Sequence, residues 1–108
     1  MNRGEIWTAA GGAYASKPRP VLIMQDDRFD ATESVVVVPL TTHTVDAALT
    51  RVPSPADALS GIAQPSYAMV DKITTVRRTS LDSRTGRASA TQGVEIERAL
   101  LVFLGIAG

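Results

Sequence analysis

Arg19 stands between two prolines in Lys17-Pro18-Arg19-Pro20 and leads into the apolar run Val21-Leu22-Ile23-Met24. Its guanidinium is permanently charged and offers a planar fork of donors, a shape that suits phosphate oxygens. Each proline locks its own φ and pushes the residue before it toward extended geometry, so Arg19 is held before any ligand arrives. Proline inside a central strand forfeits a ladder hydrogen bond, so Pro20 is predicted to be the first residue of a strand running to about Gln25. Taken alone, an arginine opening a strand is most often solvated or salt-bridged. Few other side chains carry chemistry. His43 is the single histidine, and its titration range suits proton transfer. Lys17 and Arg28 are cations flanking loops, placed to hold a polyanion backbone, although such groups are usually just solvated. Tyr14 lies in the loop before Pro18, where its ring either packs on the body or stacks on a base.

These groups need a folded scaffold, and the composition provides for one. A chain of 108 residues with 44% hydrophobic and 20% charged content is long enough for one real core and not for two, so a single domain over residues 1–108 is expected. Without cysteine there is neither a disulfide framework nor a thiolate zinc site, and one histidine excludes a multi-histidine metal site. Neither of those kinds of metal site is therefore expected. No apolar run approaches the roughly 18 residues needed to cross a bilayer. The start, Met1-Asn2-Arg3-Gly4-Glu5, lacks the apolar core of a signal peptide, so no membrane partner and a cytoplasmic location are expected. Net charge is zero, yet nine of the eleven basic residues are arginine. The acids Asp26, Asp27, Asp30 and Glu33 cluster in one loop, and Arg77, Arg78, Arg84 and Arg87 fall in a later segment, so a locally basic face is one outcome. The other is that these charges solvate opposite ends of a small barrel.

Glu5-Ile6-Trp7-Thr8-Ala9-Ala10 reads as a first strand ended by Gly11-Gly12, with Trp7 in the core. Val35-Val36-Val37-Val38 is a β-branched run expected of a strand buried on both faces, and Pro39-Leu40-Thr41-Thr42 carries it back to the surface. A fourth strand is expected over residues 47–52, then a long connection marked by Pro53, Pro55, Gly61 and Pro65. Tyr67-Ala68-Met69-Val70 reads as a fifth strand, and residues 73–76 continue or follow it across Asp71-Lys72, where Asp71 bends or caps the junction. Residues 81–88 fit either a short helical turn or a strand. The C-terminus reads as a helix: Ser89 and Gln92 have capping-box spacing, and Ile96, Ala99, Leu100 and Phe103 repeat at helical period. Short strands followed by one amphipathic helix predict a mainly β fold, a bent sheet or small barrel with the helix over an opening.

Four stretches in this order, Arg3-Gly4-Glu5-Ile6-Trp7, Arg19-Pro20-Val21-Leu22-Ile23, Val36-Val37-Val38-Pro39-Leu40-Thr41 and Asp71-Lys72-Ile73-Thr74-Thr75-Val76, make the chain resemble the MazF/PemK family of toxin endoribonucleases from type II toxin–antitoxin pairs. From about Leu81 onward the match is in length, a late glycine and a final helix. The resemblance implies a small SH3-like barrel of the MazF/PemK/CcdB type that forms a homodimer, cuts single-stranded RNA at selected sequences without a metal, and is silenced by a small antitoxin protein. It places the family's catalytic arginine on Arg19 and its threonine on Thr41, and an acid implicated in some members on Asp71. Many members carry Glu or His in the loop before the Arg-Pro pair; here that loop reads Ala13-Tyr14-Ala15-Ser16, which leaves the general base unassigned.

Cleaving RNA without a metal uses the substrate's own 2′-hydroxyl as nucleophile, leaving a 2′,3′-cyclic phosphate and a 5′-hydroxyl. Charge builds on the phosphoryl oxygens, where the Arg19 guanidinium and the Thr41 hydroxyl are suited to receive it. Arginine is a poor proton donor, so Arg19 is assigned to electrostatics first. His43 lies two residues beyond Thr41, on the same face if the strand continues, and is a secondary proton-transfer candidate. Thr42 is the rival to Thr41, and alternation lets only one of them face the site. With Lys17, Arg28 and Tyr14 it completes the RNA-binding candidates; Asp71 serves either proton transfer or a turn or dimer anchor. Two other readings share the fold: a CcdB-type toxin that poisons DNA gyrase by protein contact, and a barrel that binds RNA without cutting it. The first acts through the end of the last helix, and Leu104-Gly105-Ile106-Ala107-Gly108 offers no aromatic anchor there.

Overall fold

The valine run becomes the axis of the fold. A computed structural model describes residues 1–11, 15–47 and 49–107. Among them are seven strands, β1 (Glu5–Gly11), β2 (Ala15–Ile23), β3 (Ser34–Thr41), β4 (Arg51–Ser54), β5 (Ser66–Met69), β6 (Thr74–Arg77) and β7 (Leu81–Arg87), and one helix, α1 (Ala90–Phe103). Every pairing is antiparallel, in the order β4-β5-β3-β2-β1-β7 with β6 also on β3. The result is the expected mainly β fold with a C-terminal helix.

β3 gives one edge to β2 and shares the other between β6, opposite Ser34 to Val37, and β5, opposite Leu40 and Thr41. Between them the chain makes the three-residue 3-10 turn Val70–Lys72, and the register on β3 slips by that same number. Backbone direction explains why Pro39 is tolerated there. The Val36 carbonyl accepts from the Met24 N–H, so even-numbered residues of β3 turn their backbone groups toward β2 and odd-numbered ones toward the other edge. Pro39 thus lacks its donor where the partner edge is interrupted by the turn.

The same parity corrects the expectation for Pro20. β2 begins at Ala15, not at Pro20, and ends at Ile23 rather than near Gln25. Met24 addresses its N–H to β3, so the even-numbered Pro20 also faces β3, and pairing between β2 and β3 reaches no further than Val21 opposite Pro39. On its other edge β2 stays paired with β1 through Pro20 opposite Thr8 and Arg19 opposite Ala9, after which the register shifts across Lys17 and Pro18 before Ala15 meets Gly11. Pro20 thus stands where one ladder ends and the other continues.

Two apolar clusters lie on the two faces of the sheet. Ala9, Val21, Ile23, Val35, Val37, Val76 and Leu81 form one, with Trp7 only partly buried at its rim, short of the full core placement expected. Ile6, Leu22, Val38, Leu40, Val52, Ala68 and Val70 form the other, closed by Ile96 of α1. The Ser89 hydroxyl caps α1 by accepting from the Gln92 N–H at 3.1 Å, and Ala99 and Leu100 pack on the cluster beside Ile96. Phe103, expected on that face, is exposed as the last residue of α1, beyond Ala99 and Leu100, the last helix residues that pack on the cluster. β4 starts at Arg51 instead of Ala47, since the Thr50 and Arg51 N–H groups both return to the Ala47 carbonyl in a turn. Residues 81–88 resolve as strand. The long connection after β4 is pinned to β7: the Arg87 N–H donates to the Leu59 carbonyl at 2.9 Å, and the Thr85 hydroxyl to the Ser60 carbonyl. Gly61, at φ +70°, and Gly86 permit that approach, since a Cβ on either would collide with the facing carbonyl oxygens.

Ile96 is fully buried where α1 meets the sheet. Ile96→Ala is expected to lower unfolding free energy by about 2–5 kcal/mol, measured by urea denaturation; a change within the noise would mean that the helix contributes little to the core.

Candidate active site

Alternation along β2 turns Val21 and Ile23 into the cluster that also holds Val35 and Val37 of β3. Arg19 continues that face of β2, and Pro39 and Thr41 continue it on β3. Val21 lies opposite Pro39 in the last β2–β3 pair, and Arg19 and Thr41 are the next residues on that face, two positions beyond it. Each is held from its far side, Arg19 by Ala9 of β1 and Thr41 by Tyr67 of β5. The two leading candidates therefore stand on either strand just past the point where the β2–β3 ladder ends.

Their polar groups differ in commitment. Thr41 is half-buried, and its Oγ1 accepts the His43 N–H at 3.1 Å, which fixes the side chain and leaves its hydroxyl proton to donate outward. Arg19 is exposed. Arg3, Arg28, Arg51 and Arg84 are ion-paired with Glu97, Asp26, Asp71 and Glu5 at 2.9–3.1 Å. Among the described residues Arg19 has no such partner. Lys17 is exposed two residues before it.

The remaining candidates separate. β3 ends at Thr41, so the alternation argument for His43 does not apply; His43 is exposed and meets Thr41 through its backbone. Thr42 is exposed at the bend after the strand. Arg28 lies past the opposite end of β2, its Nε 3.1 Å from Asp26 Oδ1 and its guanidinium 5.8 Å from the Phe29 ring centroid. Tyr14 lies outside the described residues. Asp71 belongs to the 3-10 turn between β5 and β6, where it accepts from Arg51 Nε at 3.0 Å and Nη2 at 3.2 Å. The Arg51 hydrogen bonds, reinforced by its charge, hold the Asp71 carboxyl below its ordinary range against the opposing effect of burial. A carboxylate lowered in this way is a weaker base.

One constellation escaped the sequence reading. The Glu5 carboxylate accepts from the Asn2 N–H at 2.8 Å and from Trp7 Nε1 at 3.0 Å, and pairs with Arg84 Nε at 3.0 Å. Burial works to raise the Glu5 pKa, but the hydrogen bonds and the Arg84 charge outweigh it and hold it low. The two-residue spacing of Glu5 and Trp7 was the available signal, because alternation places both on one face. Arg84 joins them only through the β1–β7 pairing.

Comparison with known proteins agrees with this arrangement. Residues 2–104 match the family described as PemK-like, MazF-like toxin of type II toxin–antitoxin system. The chain is 60% identical to a probable endoribonuclease MazF of Mycolicibacterium smegmatis, with 100% of both chains covered. Its structure resembles the Mycobacterium tuberculosis toxin MazF-mt6 with a TM-score of 0.81 at 28% identity, over 96% of this chain and 99% of the other. It also resembles a mycobacterial endoribonuclease solved in complex with its cognate antitoxin, with a TM-score of 0.80 at 28% identity, over 100% and 98% of the two chains. The chain thus belongs to the PemK-like, MazF-like toxins of type II toxin–antitoxin systems and is an endoribonuclease of the MazF type.

Proposed function

We propose that this chain cuts single-stranded RNA at selected sequences, without a metal, by attack of the substrate 2′-hydroxyl on the adjacent phosphorus. The P–O2′ bond forms as P–O5′ breaks, and the 2′-hydroxyl proton is replaced on the leaving 5′-oxygen, giving a 2′,3′-cyclic phosphate and a 5′-hydroxyl. Arg19 neutralises the charge on the phosphoryl oxygens, and Thr41, with its acceptor side occupied by His43, donates to the same oxygens. The observation that supports this reading is the last β2–β3 pair, Val21 opposite Pro39, beyond which Arg19 and Thr41 are the next residues on the same face. Lys17 extends the positive face along the RNA backbone. Asp71 acts as the anchor of the turn between β5 and β6, as its two hydrogen bonds from Arg51 support.

The chain works as a single domain that pairs with a second copy and is neutralised by an antitoxin protein. Support for pairing comes from the far end of the molecule. Leu101, Val102, Phe103, Leu104 and Ile106 are all exposed, and a groove of about 350 Å³ between β4 and α1 is lined by Leu49, Pro53, Ala99 and Val102 together with the charged Arg51, Glu95 and Arg98. Exposed apolar side chains gathered at one helix end support a protein contact there.

Arg19→Ala is expected to slow cleavage of an RNA oligonucleotide in EDTA about 100–1,000-fold while leaving the fold intact. An oligonucleotide with a 2′-deoxy sugar at the cut site is expected to survive; if it is cut equally well, internal attack is wrong. Asp71→Asn is expected to cost about 1–3 kcal/mol of stability near neutral pH. Because the Asp71 pKa is depressed on folding, its contribution is present above the ordinary value of 3.8 and disappears as pH falls through the lower folded value. The gap between wild type and variant should therefore narrow in acid, as urea titrations at several pH values would read. Val102→Glu is expected to shift the protein from dimer to monomer in analytical ultracentrifugation, and an unchanged sedimentation coefficient would move the dimer contact elsewhere.

A further inference from the structure

We propose that Trp7, steered by Glu5 and flanked by Arg84, is a stacking platform for a nucleobase next to the phosphate held at Arg19. The proposal rests on the reading of Arg19 and Thr41 as the phosphate site.

Trp7 lies opposite Val21, and Arg19 opposite Ala9, so Trp7 and Arg19 are diagonal neighbours on one face of the β1–β2 pair, within reach of long side chains. The indole packs against the Ala9–Val21–Leu81 cluster yet keeps part of its surface in solvent. An apolar filler would close that rim without a polar tether. Here the Glu5 carboxylate, its side chain 16% exposed, holds the indole N–H at 3.0 Å and the Arg84 guanidinium at 3.0 Å. Pairing between β1 and β7 is irregular on both sides of this point: the register shifts between Ile6 and Trp7 and again between Trp7 and Ala9, which isolates the Trp7–Arg84 pair. Bulges re-aim side chains, and two of them bracket one aromatic residue.

Arg84 does not cover the ring. Among the described residues the guanidinium over an aromatic ring is that of Arg28, over Phe29, whereas Arg84 is drawn to the carboxylate. Cations stand on both flanks of the indole, Arg19 on β2, and Arg84 and the exposed Arg87 on β7. Two strand spacings, about 10 Å, separate the flanks. A partly exposed aromatic surface between rows of positive charge is the arrangement that holds single-stranded nucleic acid, with the base on the ring and the backbone along the cations.

Trp7 is the single tryptophan, so its emission reports this site alone. The probe is an RNA oligonucleotide that the protein cuts, blocked by a 2′-deoxy sugar at the cut position. Titrating it into wild-type protein should quench tryptophan fluorescence saturably, with a midpoint matching that from fluorescence anisotropy of a labelled copy. An abasic scan should find one position beside the cut where quenching is lost and binding weakens on the order of 10–100-fold. Trp7→Phe should keep most of the affinity, and Trp7→Leu should weaken binding to the same extent as the abasic oligonucleotide. The platform is overturned if the oligonucleotide binds by anisotropy with unchanged emission, or if no abasic position matters more than the others. Both results leave cleavage through Arg19 standing, whereas an Arg19→Ala protein that still cuts removes the phosphate site whatever the fluorescence does.

Discussion

The site depends on hydrogen-bond donors that are missing. Pro20 faces β3 from β2 and has no N–H to give it, and the pairing between these central strands stops at Val21 and Pro39. An ordinary residue there would have supplied a donor for the ladder to run on toward Arg19 and Thr41. Instead each strand is held on its outer side, β2 by β1 and β3 by β5, and Arg19 and Thr41 are the next residues on the shared face. Apolar packing below this point is dense, and the polar function begins where the backbone stops pairing.

The rest of the chain keeps those strands in place. β3 carries two partners on one edge, and the turn that joins them is tied to β4 by the Arg51–Asp71 pair, whose side chains are only 12% and 27% exposed. α1 seals the opposite face through Ile96, and the connection after β4 is fastened to β7 through the Leu59 and Ser60 carbonyls. No single element forms the site, yet each strand adjoining it is fixed on its other side.

Sequence reasoning was strongest where the physics is local. The valine run, the Ser89 cap and the Ile96–Ala99–Leu100 stripe each follow from residues within a few positions of one another. Pro20 misled because a proline's cost depends on which edge its backbone faces, and that is decided by the partner strand. Phe103 has the right period for the core face, but period does not reveal how far along a helix the packing extends. Arg51 and Asp71 are 20 residues apart with nothing local to connect them, so Asp71 read equally well as acid or anchor. Arg19 stood out from its flanking prolines and Thr41 was named through family resemblance; what the sequence could not supply was the register that pairs Val21 with Pro39, two residues from each of them.

The uncommitted state of Arg19 bears on the thermodynamics of anion capture. Arg3, Arg28, Arg51 and Arg84 would each have to surrender an internal carboxylate to engage an incoming phosphate fully. Arg19 surrenders only loosely held solution ions, so its encounter with a polyanion releases small ions to the bulk and gains mixing entropy from doing so. Among these guanidiniums it is the one for which grip on the substrate weakens most directly as the surrounding electrolyte is concentrated, while the half-sheltered Arg51–Asp71 pair keeps its turn tied to β4.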